Sequence, residues 1–305
     1  MDTFITEVIK QLDNIKMQNK KLFFVQKSRT GYTSYAPNVT PAIYEDLLNL
    51  IKNNLENYKD HEIVMFNPIG YRDMTIEQCK VDEIGGYQDI IKSFENPDNV
   101  DTSIRPAALS FYCLAFSDLQ NSIDIKFFRR ITKFKKLSSQ GIFAWFSGET
   151  LNRIEQEIIG IDGFVDIICI NNQVVYVLNH IALERVFDLA AQFDEKAHEA
   201  IEALREIGKI KNFDQFEDDC LNDKRFIKIL SKLSKDNTNF ESAFSNFQNI
   251  REVIDLFELE IDIIEGKDPM LRYEGKYQLM DFLRIIQDSY YKSLIRERAG
   301  IDNGV

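Results

Sequence analysis

The stretch that leaves this chain the fewest options runs from Gly163 to Leu178. Gly163-Phe-Val-Asp-Ile-Ile-Cys-Ile170 and Gln173-Val-Val-Tyr-Val-Leu178 are β-branched and aromatic runs of strand length, and Asn171-Asn172 between them tolerates the positive φ of a tight hairpin turn. Both faces of these strands are largely apolar. Strands without a polar face belong in the middle of a sheet that is covered on both sides. A basic segment lies directly ahead, so the region from Ile125 to Leu189 is the one around which the rest of the chain is organised.

With 305 residues, 44% of them hydrophobic, the chain can bury a full core as one large domain or two smaller ones. No run approaches the roughly 18 consecutive apolar residues of a spanning helix. The opening Met1-Asp-Thr-Phe-Ile-Thr-Glu lacks the basic and apolar regions of a signal peptide, so the expected location is the cytosol. Cys79, Cys113, Cys169 and Cys220 lie far apart, three of them in apolar or strand-like runs, as buried reduced thiols do. They form neither a disulfide framework nor a CxxC knuckle. The net charge of -12 argues against a general nucleic-acid coat protein and leaves only a local patch able to meet phosphates.

In chain order, the apolar spacing of Phe4, Ile5, Val8, Ile9, Leu12 and Ile15 predicts a helix over residues 2–19, followed by a strand over 20–26. Thr40-Pro41 opens a helix carried by Ile43, Leu47, Leu50, Ile51 and Leu55. Strands are expected at Glu62 to Phe66 and Met74 to Val81, then a short helix around Ile90, Ile91 and Phe94 near a subdomain seam. Paired strands follow at Ala107 to Phe116 and Ile123 to Ile131, with another at Gly141 to Phe146. From Leu183 the period becomes helical, with stripes on Leu183/Val186/Phe187/Ala190, on Ala197/Ile201/Leu204 after an Asp194 cap, and on Phe226/Ile227/Leu230/Leu233. A late strand pair, Leu256 to Ile264 and Met270 to Tyr273, precedes a last helix on Tyr277, Met280, Leu283, Ile286 and Tyr290. The fold class is therefore α+β: a strand-rich N-terminal half with a mixed or antiparallel sheet, and a helix-rich C-terminal half. The expected division is an α+β domain at 1–180 and a mainly helical region with one late strand pair at 181–305.

Three features bear on function. Between Asp124 and Glu149 no acidic residue occurs, while Lys126, Arg129, Arg130, Lys133, Lys135 and Lys136 fall within eleven positions, interleaved with Phe127, Phe128 and Phe134. Phosphate contacts need such a run, and aromatics can stack on unpaired bases. A solvated strand edge guarded by lysines gives the same pattern. A fallback cationic set is Lys228, Lys232 and Lys235. Second, Asp255, Glu258, Glu260, Asp262 and Glu265 precede Lys267, which suggests carboxylates holding Mg²⁺ with a lysine at the scissile phosphate. However, Glu265-Gly-Lys267 runs into Asp268-Pro269 and reads as a hairpin turn, and Glu258, Glu260 and Asp262 alternate with Leu259, Ile261 and Ile263 as in an ordinary half-exposed strand. Third, Asp166 inside an apolar strand would be costly if buried alone: a functional carboxylate is one reading, and an ion pair with a basic neighbour or an outward-facing position is the more ordinary one. His61, His180 and His198 lack metal-ligand spacing, and no phosphate loop or nucleophile elbow occurs.

The segments Trp145-Phe-Ser-Gly-Glu-Thr-Leu-Asn-Arg-Ile154, Ile161-Asp-Gly-Phe-Val-Asp-Ile-Ile168, Val174-Val-Tyr-Val-Leu-Asn-His180 and Leu183-Glu-Arg-Val-Phe-Asp188 resemble the KwaB family of the bacterial Kiwa anti-phage system. The family pattern of hydrophobic-Asp-hydrophobic strand, short turn, second strand, and a helix opening Phe/Leu-Glu-x-hydrophobic-Phe falls on Val165-Asp166-Ile167, Asn171-Asn172, Val174 to Leu178, and Leu183 to Phe187. Leu183 stands where the usual residue is Phe. The resemblance implies a defence protein that binds DNA and partners a multi-span, KwaA-like membrane protein at the inner membrane, with no catalysis assigned and no cofactor. The expectation is thus a non-catalytic DNA-binding effector. Alternatives are a Mg²⁺-dependent nuclease or a scaffold, and the apolar excess of the last helix suggests a homodimer or higher assembly.

Overall fold

The structure, a computed structural model, describes residues 3–14, 19–70, 72–98, 108–118, 122–131, 144–147, 150–153, 159–235, 240–293 and 298–302. The chain forms two compact units, Met1–Phe66 with Asp73–Leu189, and Asn67–Arg72 with Ala190–Val305.

The first unit opens with helix α1 (Phe4–Asn14), the hairpin β1 (Lys20–Ser28) and β2 (Gly31–Tyr35), and helix α2 (Pro41–Leu55). Pro41 occupies the start of α2, where its missing N–H is no loss, although the hydroxyl of Thr40 makes no capping bond. Then come β3 (Glu62–Met65), β4 (Thr75–Lys80), α3 (Tyr87–Glu95), β5 (Phe111–Asp118) and β6 (Ile123–Arg130). A separate pair follows, β7 (Ala144–Ser147) with β8 (Thr150–Arg153), and then β9 (Ile167–Ile170), β10 (Val174–Val177) and helix α4 (His180–Val186). Of the strand expected at 141–146, the described part falls in this separate two-stranded sheet, and residues 141–143 lie outside the described residues.

Eight strands form one mixed sheet in the order β2-β1-β5-β6-β9-β10-β4-β3, antiparallel throughout except for the β3–β4 pair. The β9–β10 hairpin sits fifth and sixth, with Asn171 and Asn172 both at φ 53°. Both faces of the hairpin are covered. On one, Ile168 packs with Ile125, Phe127 and Tyr112 against Ile5, Val8 and Leu12 of α1 and Leu48, Ile51 and Leu55 of α2. The other carries an aromatic layer, in which Phe94 stacks on Phe23 at 4.3 Å and Phe187 meets Phe128 at 5.5 Å. Each such ring buried stabilises the fold by about 1.5–3 kcal/mol.

Gly163 is required where the chain enters β9, since a Cβ there would sit 2.3 Å from the Leu50 Cβ. Asn54 of the same helix accepts from the Val165 N–H at 3.0 Å, so α2 fixes the segment that carries Asp166. The residues of the expected seam near 85–99 are assigned to one unit with the rest of Asp73–Leu189, so no division between the two units falls there.

The second unit contains α5 (Leu189–Ile207), β11 (Ile210–Lys211), α6 (Phe213–Leu221), α7 (Lys224–Lys235), α8 (Phe240–Ala243), α9 (Phe247–Phe257), β12 (Asp262–Ile264), β13 (Met270–Arg272), α10 (Leu279–Ile286), β14 (Tyr290–Lys292) and β15 (Ala299–Ile301). Asp194 lies inside α5 and caps nothing; its carbonyl accepts from His198 Nδ1 at 2.7 Å. The strand expected from Leu256 begins only at Asp262, because Leu256 ends a helix that Glu258 stops in the left-handed region at φ 51°.

The apolar excess of the last helix has an internal explanation. Leu279, Phe282, Leu283, Ile285 and Ile286 are all buried in the core of this unit, so α10 is surrounded by protein and offers no apolar face to a second copy.

Candidate functional site

Asp166 is buried in the first unit and held at both carboxylate oxygens. Its carboxylate is 2% exposed and accepts three hydrogen bonds: from Arg129 Nη1 and Asn179 Nδ2 at Oδ1, both at 2.9 Å, and from the Arg130 backbone N–H at Oδ2, at 2.8 Å. Its own N–H donates to the Phe128 carbonyl, and its carbonyl accepts from the N–H groups of Leu178 and Asn179. One residue thus ties β6 to the junction of β10 and α4. This is the ion pair expected for a carboxylate in an apolar strand.

Arg129 spans two carboxylates. Besides Asp166, it holds Asp162 bidentately, Nε to Oδ1 and Nη2 to Oδ2, both at 2.9 Å, and lies 5.2 Å from the Phe164 ring centroid. Burial works against its charge, but the hydrogen bonds and charges of Asp162 and Asp166 outweigh that and raise its pKa above the ordinary value.

Beside this clamp is a cavity of about 510 Å³. Lys27, Arg129, Arg130 and Arg185 bring four cations to its walls, against the single carboxylate of Asp166. Lys27 pairs with Asp188 at 2.7 Å and donates to the Arg185 carbonyl at 3.4 Å. Arg130 and Arg185 differ from the other two: among the described residues no carboxylate lies within ion-pair distance of either. Partial burial lowers the pKa of Arg130 and the charge of Arg185 lowers it further, with Asp166 acting in the opposite sense. Two like charges facing one cavity with no counterion among the described residues are an arrangement that an anion relieves. The remaining walls are apolar, from Phe111, Ile131 and Val186, with Ser110 and Asn179 as neutral polar groups.

The basic run is therefore divided by the fold. Arg129 and Arg130 reach the cavity, but Lys126 turns inward at 8% exposure, where Nζ donates to Asp124 at 2.5 Å and to Asn172 Oδ1 at 3.0 Å. The same Asn172 oxygen accepts from the Tyr87 hydroxyl at 2.6 Å, so Lys126 belongs to a network beneath α3. Lys133, Lys135 and Lys136 lie outside the described residues.

The acidic cluster is dispersed. Glu265 pairs with Arg251, Asp268 with Lys209, and Asp262 lies 3.9 Å from Arg272. Gly266 at φ 159° places Glu265 and Lys267 in the link between β12 and β13. Among the described residues no three His, Cys, Asp or Glu side chains are grouped to hold a metal ion. All four cysteines are buried and free, and burial pushes the Cys169 thiol up to about 11. The fallback cations lie on α7, where Lys228 Nζ stands 5.8 Å from the Phe193 ring centroid.

Comparison with known families supplies the context. A model of the family described as Kiwa protein KwaB-like matches residues 108–296, more than half of the chain. The chain belongs to the KwaB-like family. That makes it a component of the Kiwa anti-phage defence system. No curated protein and no solved structure matches it. The KwaB-like span takes in Arg129, Arg130, Asp162, Asp166, Asn179 and Arg185, and leaves out Lys27. Sequence reading missed Lys27 and Arg185 as partners of Arg130. Neither stands in a motif, and only the sheet order brings β1, β6 and α4 to one cavity.

Proposed function

We propose that this Kiwa component is a non-catalytic DNA-binding protein that takes phosphate in the Lys27, Arg130 and Arg185 cavity and acts with a membrane-embedded, KwaA-like partner. The observation that carries the DNA reading is a pair of arginines that have no carboxylate within ion-pair distance among the described residues, in a protein whose net charge is -12. In a field that repels DNA at long range, binding depends on a few close contacts, and these two cations are placed for them. Arg129 and Lys126 serve the fold. Arg130 is the member of the basic run that carries the proposal, together with Lys133, Lys135 and Lys136 if they extend the contact.

The membrane partner rests on family membership. No helix among the described residues is long and apolar enough to cross a membrane.

Self-association moves to another surface. β3 ends the eight-stranded sheet, with Ile63 36% and Met65 64% exposed. Glu62 and Phe66 send their N–H groups to Met74 and Gln78, so the N–H and C=O groups of Ile63 and Met65 face outward. An antiparallel pairing of two copies about Val64 sets Ile63 against Met65 and Glu62 against Phe66, with no like charges opposed. A second copy therefore fits this edge.

A single gel tests the DNA reading: linear DNA incubated with the protein, with and without Mg²⁺. A shift without cleavage in both lanes is expected. Cleavage that requires Mg²⁺ would establish the nuclease, and neither shift nor cleavage would leave a scaffold.

A further inference from the structure

We infer that the cavity receives a phosphomonoester, the terminal phosphate of a nucleotide, in preference to the phosphodiester backbone along a strand. This rests on the reading of the cavity as a phosphate site and narrows what enters it.

The shape is the first reason. A duplex backbone is a convex ridge and is met by an extended basic surface. Here the cations line a concavity of about 510 Å³. That half-open depression has room for one small group, and it suits a group projecting from the end of a strand.

Charge is the second. A phosphomonoester carries about -1.5 to -2 at neutral pH and three free oxygens, whereas a backbone diester carries a single charge. Arg130 and Arg185 offer two forked guanidinium groups that no carboxylate pairs among the described residues, enough to engage two charges at once. Lys27 adds a third cation, held by Asp188, whose carboxylate is 58% exposed and readily exchanged for water.

The third reason is the wall chemistry. Phe111, Ile131 and Val186 give an apolar side against which a sugar or base can lie, while Ser110 and Asn179 supply neutral polar atoms. Asp166 at the cavity has three donors already in place, so it holds the frame and sets a negative floor that an entering anion must stay above.

The test is fluorescence anisotropy with one labelled single-stranded oligonucleotide in three forms: 5′-phosphorylated, 5′-hydroxyl and covalently closed. The wild-type chain is compared with Arg130→Gln/Arg185→Gln, whose folding is checked by circular dichroism. The phosphorylated form should bind roughly tenfold more tightly than the other two, the size of one additional charge-assisted contact. That preference should vanish in the double variant. A nucleoside 5′-monophosphate that displaces the oligonucleotide at matching concentration would support the inference and identify a free nucleotide as the source. Equal binding of all three forms, weakened equally by the variant, would overturn the inference while leaving the phosphate-binding function standing. Binding that the variant does not change in any form would overturn both. The comparison among ligands uses the wild-type protein alone, so it decides the inference even if the double variant fails to fold.

Discussion

Arg129 and Asp166 meet with Nη1 2.9 Å from Oδ1, and the backbone N–H of the next residue, Arg130, donates to the other carboxylate oxygen. A single buried carboxylate therefore fixes the direction in which Arg130 leaves its strand. Removing it by Asp166→Ala leaves Arg129 short of a partner in a site that is mostly closed to water. The expected cost is about 3–5 kcal/mol, as for other broken buried pairs. Urea unfolding with circular dichroism measures it, and a loss below about 1 kcal/mol would mean that Asp162 holds Arg129 unaided.

His180 makes stability depend on pH. Its Nδ1 is 2.9 Å from Glu77 and its Nε2 is 3.2 Å from Glu184. Burial disfavours its charge, but the hydrogen bonds and charges of Glu184 and Glu77 prevail and raise its pKa from 6.5 to about 9. A folded-state pKa above the unfolded one means that the native form holds the proton more tightly. The stabilisation is thus complete below about pH 6.5 and disappears as pH rises through about 9. Urea midpoints across that window should fall in the wild type and stay level in His180→Gln; an equal fall in both would assign the dependence to another group.

The edge pairing at β3 predicts an assembly sensitive to Met65 and indifferent to the end of the chain. Met65→Lys puts like charges into the proposed two-fold contact and should give monomers by light scattering at micromolar concentration. Tyr291→Ser, at a side chain that is 54% exposed, should leave the assembly unchanged. Monomeric wild type under the same conditions would remove this interface.

Glu265→Ala with Lys267→Ala should leave DNA binding and phage protection as they are, because Glu265 pairs with Arg251 at an exposed turn and such pairs contribute little, about 0–1 kcal/mol. A folded double variant that loses protection would bring back the metal-dependent reading.

How much of this was legible depended on how local the determinant is. The central hairpin was readable because β-branched runs and two adjacent asparagines settle the matter within sixteen residues, Gly163 to Leu178. Thr40-Pro41 announced α2 for the same reason. β2 escaped notice because Gly-Tyr-Thr-Ser-Tyr has no apolar alternation. Asp194 looked like a cap, but an exposed Asp is tolerated inside a long helix that packs by its other face. The basic run was visible as charge, but its division was not. Lys126 has the same strand parity as Arg130 and is held inward by Asp124 and Asn172, while Asp162 and Asp166, which hold Arg129, are more than thirty positions away. Lys27 and Arg185 join Arg130 only through the order of strands in the sheet, which no local pattern encodes.

The most direct measurement of the central claim is the salt dependence of DNA affinity for the wild type and for Arg130→Gln/Arg185→Gln. Fluorescence anisotropy on a linear duplex, over a series of salt concentrations, gives the slope of log affinity against log salt. Each phosphate contact removed lowers the magnitude of that slope by about 0.9, so the double variant should lose up to about 1.8. Affinity should fall alike for unrelated sequences, since phosphate contacts carry no base information. A folded double variant with the wild-type slope would contradict the account and move the DNA site away from this cavity, first to Lys228, Lys232 and Lys235.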